Sequence, residues 1–159
     1  MKIGMIIIFR NNEEEIDTDF IIKQSNEAKN LELCLVNNDS KDSTYEVLKE
    51  IKEACTNVSV VNIKRMKSDT SAVRAGARYM FNQLDLKHIG YLTTSSLKDK
   101  CHTLDTLIKV VNENQSELLK YDIKVRKNLE VKQTLFQSLF SVVEYLIKIN
   151  QGTQLLHLQ

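Results

Sequence analysis

Four short stretches hold most of the side chains that could do chemistry. They are Phe9-Arg10-Asn11-Asn12-Glu13, Asn37-Asn38-Asp39-Ser40-Lys41-Asp42, Lys64-Arg65-Met66-Lys67-Ser68-Asp69 and Thr93-Thr94-Ser95-Ser96. Lys64, Arg65 and Lys67 gather three positive charges, which suit anion neutralisation and equally suit a solvated basic loop. No stretch reads GxGxxG or GxxxxGK[ST], so neither a Rossmann dinucleotide site nor a P-loop is supported. The paired acids that a phosphoacceptor receiver needs after its first strand are also missing. Cys101 and His102 are adjacent, but no third ligand lies near them, so they do not read as a metal or nucleophile site. Cys34 and Cys55 fall among apolar residues and read as small buried hydrophobes in a reducing compartment.

Each stretch follows an apolar run, so each should be a loop leaving a strand. Ile3–Phe9 is continuous and rich in isoleucine, as a strand buried on both faces of a parallel sheet requires. Asn12 with Glu15 resembles a capping box for a helix carrying Ile16 and Phe20. Residues 31–36 form the next strand. Ser43 with Glu46 repeats the cap signature before Val47, Leu48, Ile51 and Cys55. Val58–Ile63 is a third strand. Ala72, Val73, Gly76, Ala77, Met80, Phe81 and Leu84 then mark the clearest amphipathic helix. Residues 88–93 give a fourth strand, 104–111 a fourth helix, 121–125 a fifth strand and 130–149 a long final helix. Alternation this regular predicts an α/β fold: a three-layer α/β/α sandwich with a mostly parallel sheet. Ligands of such sheets bind at the carboxyl ends of the strands, which is where the four polar stretches fall.

Four segments in order carry a family resemblance. Val36-Asn37-Asn38-Asp39-Ser40-Lys41-Asp42-Ser43-Thr44 resembles the V-D-D/N-G-S-x-D-x-T segment of family 2 glycosyltransferases. Phe9-Arg10-Asn11-Asn12-Glu13 is similar to the loop that ends their first strand. Ser71 to Tyr79 resembles their A-x-R-x-G-x-x-x-A helix start, and Ile89-Gly90-Tyr91-Leu92 the strand that delivers a D-x-D motif. The resemblance covers residues 2 to about 96. It implies a GT-A fold, strand order 3-2-1-4, with a sugar nucleotide over the carboxyl ends. It places Arg10 and Asn11 near base and ribose, and puts Asn37 and Asn38 where the family uses an acid to accept the uracil N–H. An asparagine oxygen can also accept that bond. Asp42 is expected to cap the following helix. Arg74 would lie near the phosphates, where a planar guanidinium suits two oxygens at once.

The chain departs from the family at the metal. Thr93, Thr94 and Ser95 occupy the D-x-D position, and neutral hydroxyls are poor ligands for a hard divalent cation. The expectation is therefore no metal and no other cofactor, with Lys64, Arg65 and Lys67 as candidate diphosphate neutralisers. Only 63 residues follow Ser96, short of the family's usual acceptor region. Asp99, Asp105 and Glu113 read as caps or exposed helix charges rather than as a general base, so whether the chain is an enzyme stays open. Three functions remain: a degenerate domain that binds a nucleotide or nucleotide-diphosphate sugar without metal, a minimal active transferase using the basic loop, and a non-catalytic interaction module.

The remaining inferences concern the whole chain. A length of 159 residues suits one core, divided as a nucleotide-binding core over 1–96 and a helical C-terminal part over 97–159. Lys plus Arg is 22 against 21 for Asp plus Glu, which gives no electrostatic reason to expect nucleic acid. The apolar start lacks a cleavage signature and no run approaches the roughly 20 apolar residues of a membrane span, so the expected location is cytoplasmic. Apolar residues crowd the 130–149 segment beyond the width of one core-facing stripe. A homodimer or partner protein through that helix is the expected use, ahead of membrane-surface contact.

Overall fold

The computed structural model describes residues 1–94 and 104–154. In order they form β1 (Ile3–Phe9), α1 (Thr18–Glu27), β2 (Leu31–Asn38), α2 (Thr44–Ala54), β3 (Val58–Ile63), α3 (Asp69–Leu84), β4 (Ile89–Thr93), α4 (Leu104–Glu113), α5 (Gln115–Lys127), β5 (Phe140–Ser141) and α6 (Val142–Gln154). All seven residues of β1 are buried, because the strand is covered on both faces and flanked on both sides. The sheet order is β3-β2-β1-β4-β5 with every pairing parallel. The predicted 3-2-1-4 order is present, extended by one short strand. Gly4 pairs with Glu32 on one side and Ile89 on the other. The chain thus runs outward from β1 to β3, then returns across the sheet to β4, leaving a switch point between β1 and β4.

Strand alternation divides the core. Met5, Ile7, Phe9, Leu33 and Leu35 pack under α1, α2 and α4, while Ile6, Ile8, Cys34 and Val36 pack against α3. Gly76 lets α3 approach closely: a Cβ there would lie 2.9 Å from Ile6 Cγ2 and 3.1 Å from Val36 Cγ2. Cys34 and Cys55 are free and buried, and burial pushes the Cys34 thiol up to about 12. Among the described residues, no helix is long and apolar enough to cross a membrane.

Two caps differ from the sequence expectation. α1 starts at Thr18, not after Asn12; its N-cap is Asp17, whose carboxylate accepts from the Phe20 N–H. Ser43 is the N-cap of α2 but makes no side-chain cap bond. Asp42 accepts from the Thr44 N–H instead, at 3.0 Å, as its expected capping role requires.

The C-terminal part departs further. Residues 121–125 are helical within α5 rather than a strand, because Leu118 and Asp122, one turn apart, are the residues that α5 buries. Residues 130–149 are not one helix: the fifth strand, Phe140–Ser141, interrupts them, and α6 begins only at Val142. Most of the apolar surplus is used within the chain. Leu135, Phe136 and Leu139 pack on the α3 face, whereas Phe140, Val142 and Leu146 join the other core. Gly90 makes this crossing possible, since a Cβ there would meet the Phe140 ring at 2.5 Å.

A buried polar cluster anchors these elements at the amino end of β4. Asp122 is 1% exposed. Its carboxylate lies 2.6 Å from His88 Nδ1 and accepts from the Tyr145 hydroxyl at 2.7 Å. Arg126 Nε stands 3.1 Å away, an ion pair not aligned as a hydrogen bond, and Arg126 also donates to the Lys87 carbonyl.

Candidate functional site

The loops leaving β1 and β2 fold into one cross-linked unit. Asn11 and Asp39 both take left-handed backbone conformations, with φ of 55° and 52°. Asn and Asp tolerate that region better than most residues, and Asp39 stands where the similar family segment has glycine. The Asn11 side-chain oxygen accepts from the Lys41 N–H at 2.7 Å, and the Asn11 N–H donates to the Ser40 hydroxyl at 3.0 Å. Asn12 is 2% exposed. Its N–H donates to Thr44 Oγ1, its side-chain oxygen accepts from the Arg10 N–H, and its amide donates to Glu15. Burial works against the Asp42 charge, but hydrogen bonds from Thr44 and from the Glu13 N–H outweigh it and hold the carboxyl below its ordinary pKa.

Asn37 and Asn38 are both buried at the end of β2, but adjacent strand residues point to opposite faces. Asn38 faces α3, where its amide donates to the Lys67 carbonyl and its oxygen accepts from the Lys67 N–H, at 2.8 and 3.0 Å. Asn37 lies on the other face. Its amide donates to Asn62 at 2.9 Å, while its oxygen is buried without a hydrogen-bond partner among the described residues. The two asparagines therefore cannot read the same ligand edge, and Asn37 has the open acceptor.

Lys64, Arg65 and Lys67 are exposed on the third loop. Asp39 joins this loop to the second: its N–H donates to the Ile63 carbonyl, and its carboxylate accepts from the Met66 N–H and from Lys41. The hydrogen bond from Lys41, with Arg10 nearby, holds the Asp39 carboxyl below the usual range.

At the end of β4, the Thr94 hydroxyl faces the Ile8 carbonyl at 3.0 Å and the Asn12 oxygen at 3.1 Å. Its single proton is thus committed inside the chain. Ser95, Asp99, Cys101 and His102 lie outside the described residues. A divalent cation of the kind the family's D-x-D acids hold does not fit this donor set, since Thr93 and Thr94 supply no carboxylate. Among the described residues no three His, Cys, Asp or Glu side chains converge to hold a metal.

Arg74 belongs to a neighbouring cleft of about 210 Å³ between α3 and β4, lined also by Asp69, Tyr91, Thr93 and Phe136. Its guanidinium lies 5.1 Å from the centre of the Phe136 ring, as does that of Arg78. Asp105, on α4, is raised in pKa by burial and then by Asp17, which ties it to the α1–α4 layer. A larger cavity of about 610 Å³ adjoins Lys87 and Arg126 beside the amino end of β4, away from the strand-end loops. The contact of Phe136 with Arg74 and Arg78 was not legible in the sequence, since no local pattern pairs residue 136 with α3.

A doubly covered parallel sheet of order 3-2-1-4, with polar loops cross-linked over its carboxyl edge, defines the nucleotide-binding half of a GT-A fold. The glycosyl transferase family 2 model matches residues 5–94, β1 to the end of β4. The chain belongs to that family. No curated protein matches it.

Proposed function

We propose that this domain binds a nucleotide or nucleotide-diphosphate sugar at the carboxyl edge of β1, β2 and β4 without a divalent metal, and that it is a degenerate rather than a catalytic member of the family. The observation that carries this reading is Asn37, whose side-chain oxygen is buried with no donor, where family 2 members use an acid to accept a base N–H. Leaving a buried acceptor unpaired costs about 1–3 kcal/mol, and a nucleobase N–H would remove that cost. The cross-linked first and second loops support the same reading, because a preordered edge loses little entropy on binding. Hydroxyls in place of acids at Thr93 and Thr94 support independence from metal.

A thermal-melt series with UDP, GDP, CDP, TDP and their sugar conjugates, with and without Mn²⁺, tests this. A ligand at 100 times its Kd adds about 2.7 kcal/mol, or roughly 5–10 °C for a chain of this size. The expected result is a shift of that order for one base, unchanged by EDTA and reduced in Asn37→Ala by the loss of one hydrogen bond, about fivefold in Kd. No shift with any nucleotide would sink the reading, and a shift that appears only with Mn²⁺ would remove its metal-independent part.

A further inference from the structure

Seven large hydrophobic side chains are exposed among the described residues, and three of them, Phe81, Leu129 and Val131, line one cavity. Scattered apolar exposure needs no explanation, but exposed apolar residues gathered in one hollow mark a place where something binds. The cavity, of about 610 Å³, falls within the roughly 300–1,000 Å³ of small-molecule sites. It forms where α5 ends: Phe81 comes from the last turn of α3, Lys87 from the turn before β4, and the rest from the end of α5 and the irregular segment that follows it. The charged residues that line it are all cations, Lys87, Arg126 and Lys132. Arg126 is already engaged. It pairs with buried Asp122 at 3.1 Å and donates to the Lys87 and Ser138 carbonyls, which ties two walls of the cavity together. Lys87 and Lys132 are exposed, and among the described residues neither forms an ion pair. Asp85 and Glu130 stand close in sequence but do not line the cavity.

We propose that this cavity binds a small amphiphilic carboxylate, with its apolar body against Phe81, Leu129 and Val131 and its charged head at Lys87 and Lys132. Charge complementarity selects an anion, because the lining offers two unpaired ammonium groups and no acid. A carboxylate suits them: the planar fork that phosphate favours is taken up in Arg126, and the free charges are compact ammoniums. Walls from three parts of the chain favour a compact ligand over a bilayer, which would need the apolar side chains on one protruding face. The site lies beside the amino end of β4 and shares no residue with the proposed nucleotide edge, so the two stand or fall separately.

Titration calorimetry of the full chain with decanoate, below its micellar concentration and at low ionic strength, tests the site, and amide chemical shifts locate the ligand. Decanoate is expected to bind and to shift the amides of Phe81, Lys87, Leu129 and Val131. Octanoate, two methylenes shorter, should bind about tenfold more weakly. The double variant Lys87→Glu, Lys132→Glu changes only exposed side chains and should also lose about tenfold. Ligand-free melting temperatures confirm that it is folded. Decanoate that does not bind, that binds the folded double variant equally well, or that shifts the loops after β1 and β2 instead overturns the site. Two further outcomes would also overturn it by seating another occupant there. One is association with phosphatidylglycerol vesicles without binding of monomeric decanoate. The other is a dimer that Val131→Glu converts to a monomer in light scattering.

Discussion

The two ends of β4 show two ways for a protein to use polar side chains. At the amino end, the Asp122 carboxylate meets His88, Tyr145 and Arg126 within one buried cluster. Charge and hydrogen-bonding capacity there are largely matched from inside the chain, and the product is attachment of α5 and α6 to the sheet. Toward the carboxyl end, Arg74 and Arg78 of α3 share the Phe136 ring, and at the end of β2 the buried Asn37 side-chain oxygen has no donor among the described residues. The open Asn37 acceptor is the part of this edge that a ligand would complete. Where a polar cluster is complete it should govern stability, and where it is incomplete it should govern binding.

The sharpest way to break this contrast is Asp122→Ala. It leaves Arg126 and His88 without their carboxylate in a buried setting, which costs about 3–5 kcal/mol and lowers the melting temperature by roughly 10 °C or more. Affinity for whichever nucleotide shifts the wild-type melt, measured well below that temperature, should not change; a parallel loss of affinity would mean that the two ends are one coupled system. Asn38→Ala should have a smaller effect. It strips two hydrogen bonds from the Lys67 backbone, at about 1–3 kcal/mol for the groups left unpaired. Hydrogen exchange of the Lys67 amide should rise sharply while that of β4 does not, and equal Lys67 exchange in wild type and Asn38→Ala would show that Asn38 does not hold the third loop.

The smallest effect concerns pH. Burial, then the hydrogen bond to Asp122, raises the Tyr145 pKa above the ordinary tyrosine value of 10.0. Below that value both folded and unfolded chains keep the phenol proton, and the contribution is fully present. Above it the unfolded chain ionises first, so stability falls as pH rises toward the folded pKa. Tyr145→Phe should be somewhat less stable at neutral pH and should show a shallower alkaline decline. An unchanged alkaline limb would place the titration in some other group.

Strands β1 to β4 and the four polar loops between them were legible because each strand is a short apolar run bounded by polar residues, and each helix there has one apolar face. Residues 115–149 were not, for a specific reason. Leu135, Phe136 and Leu139 face one side of the sheet while Phe140, Val142 and Leu146 face the other, so a segment crossing the sheet edge looks apolar all round and imitates one helix. Residues 121–125 alternate like a strand only because Asp122 is a buried charge with partners distant in sequence, His88 and Tyr145. At the site, the loop residues were visible by type, but the opposite facing of Asn37 and Asn38 follows only once the strand is known to extend through both. The joint hold of Phe136 on Arg74 and Arg78 is a contact between parts of the chain about sixty residues apart, and no local pattern encodes it.

The place of β1 between β2 and β4 has a consequence for synthesis. Its register partner Ile89 follows Gly4 by 85 positions. At roughly 5–20 residues per second, the ribosome needs about 4–17 s to make the second neighbour after the first strand has emerged. Through that interval a seven-residue strand rich in isoleucine carries one unpaired edge, the kind of surface that recruits other strands. Slower translation between residues 38 and 89 should therefore lower soluble yield without altering the protein that does fold.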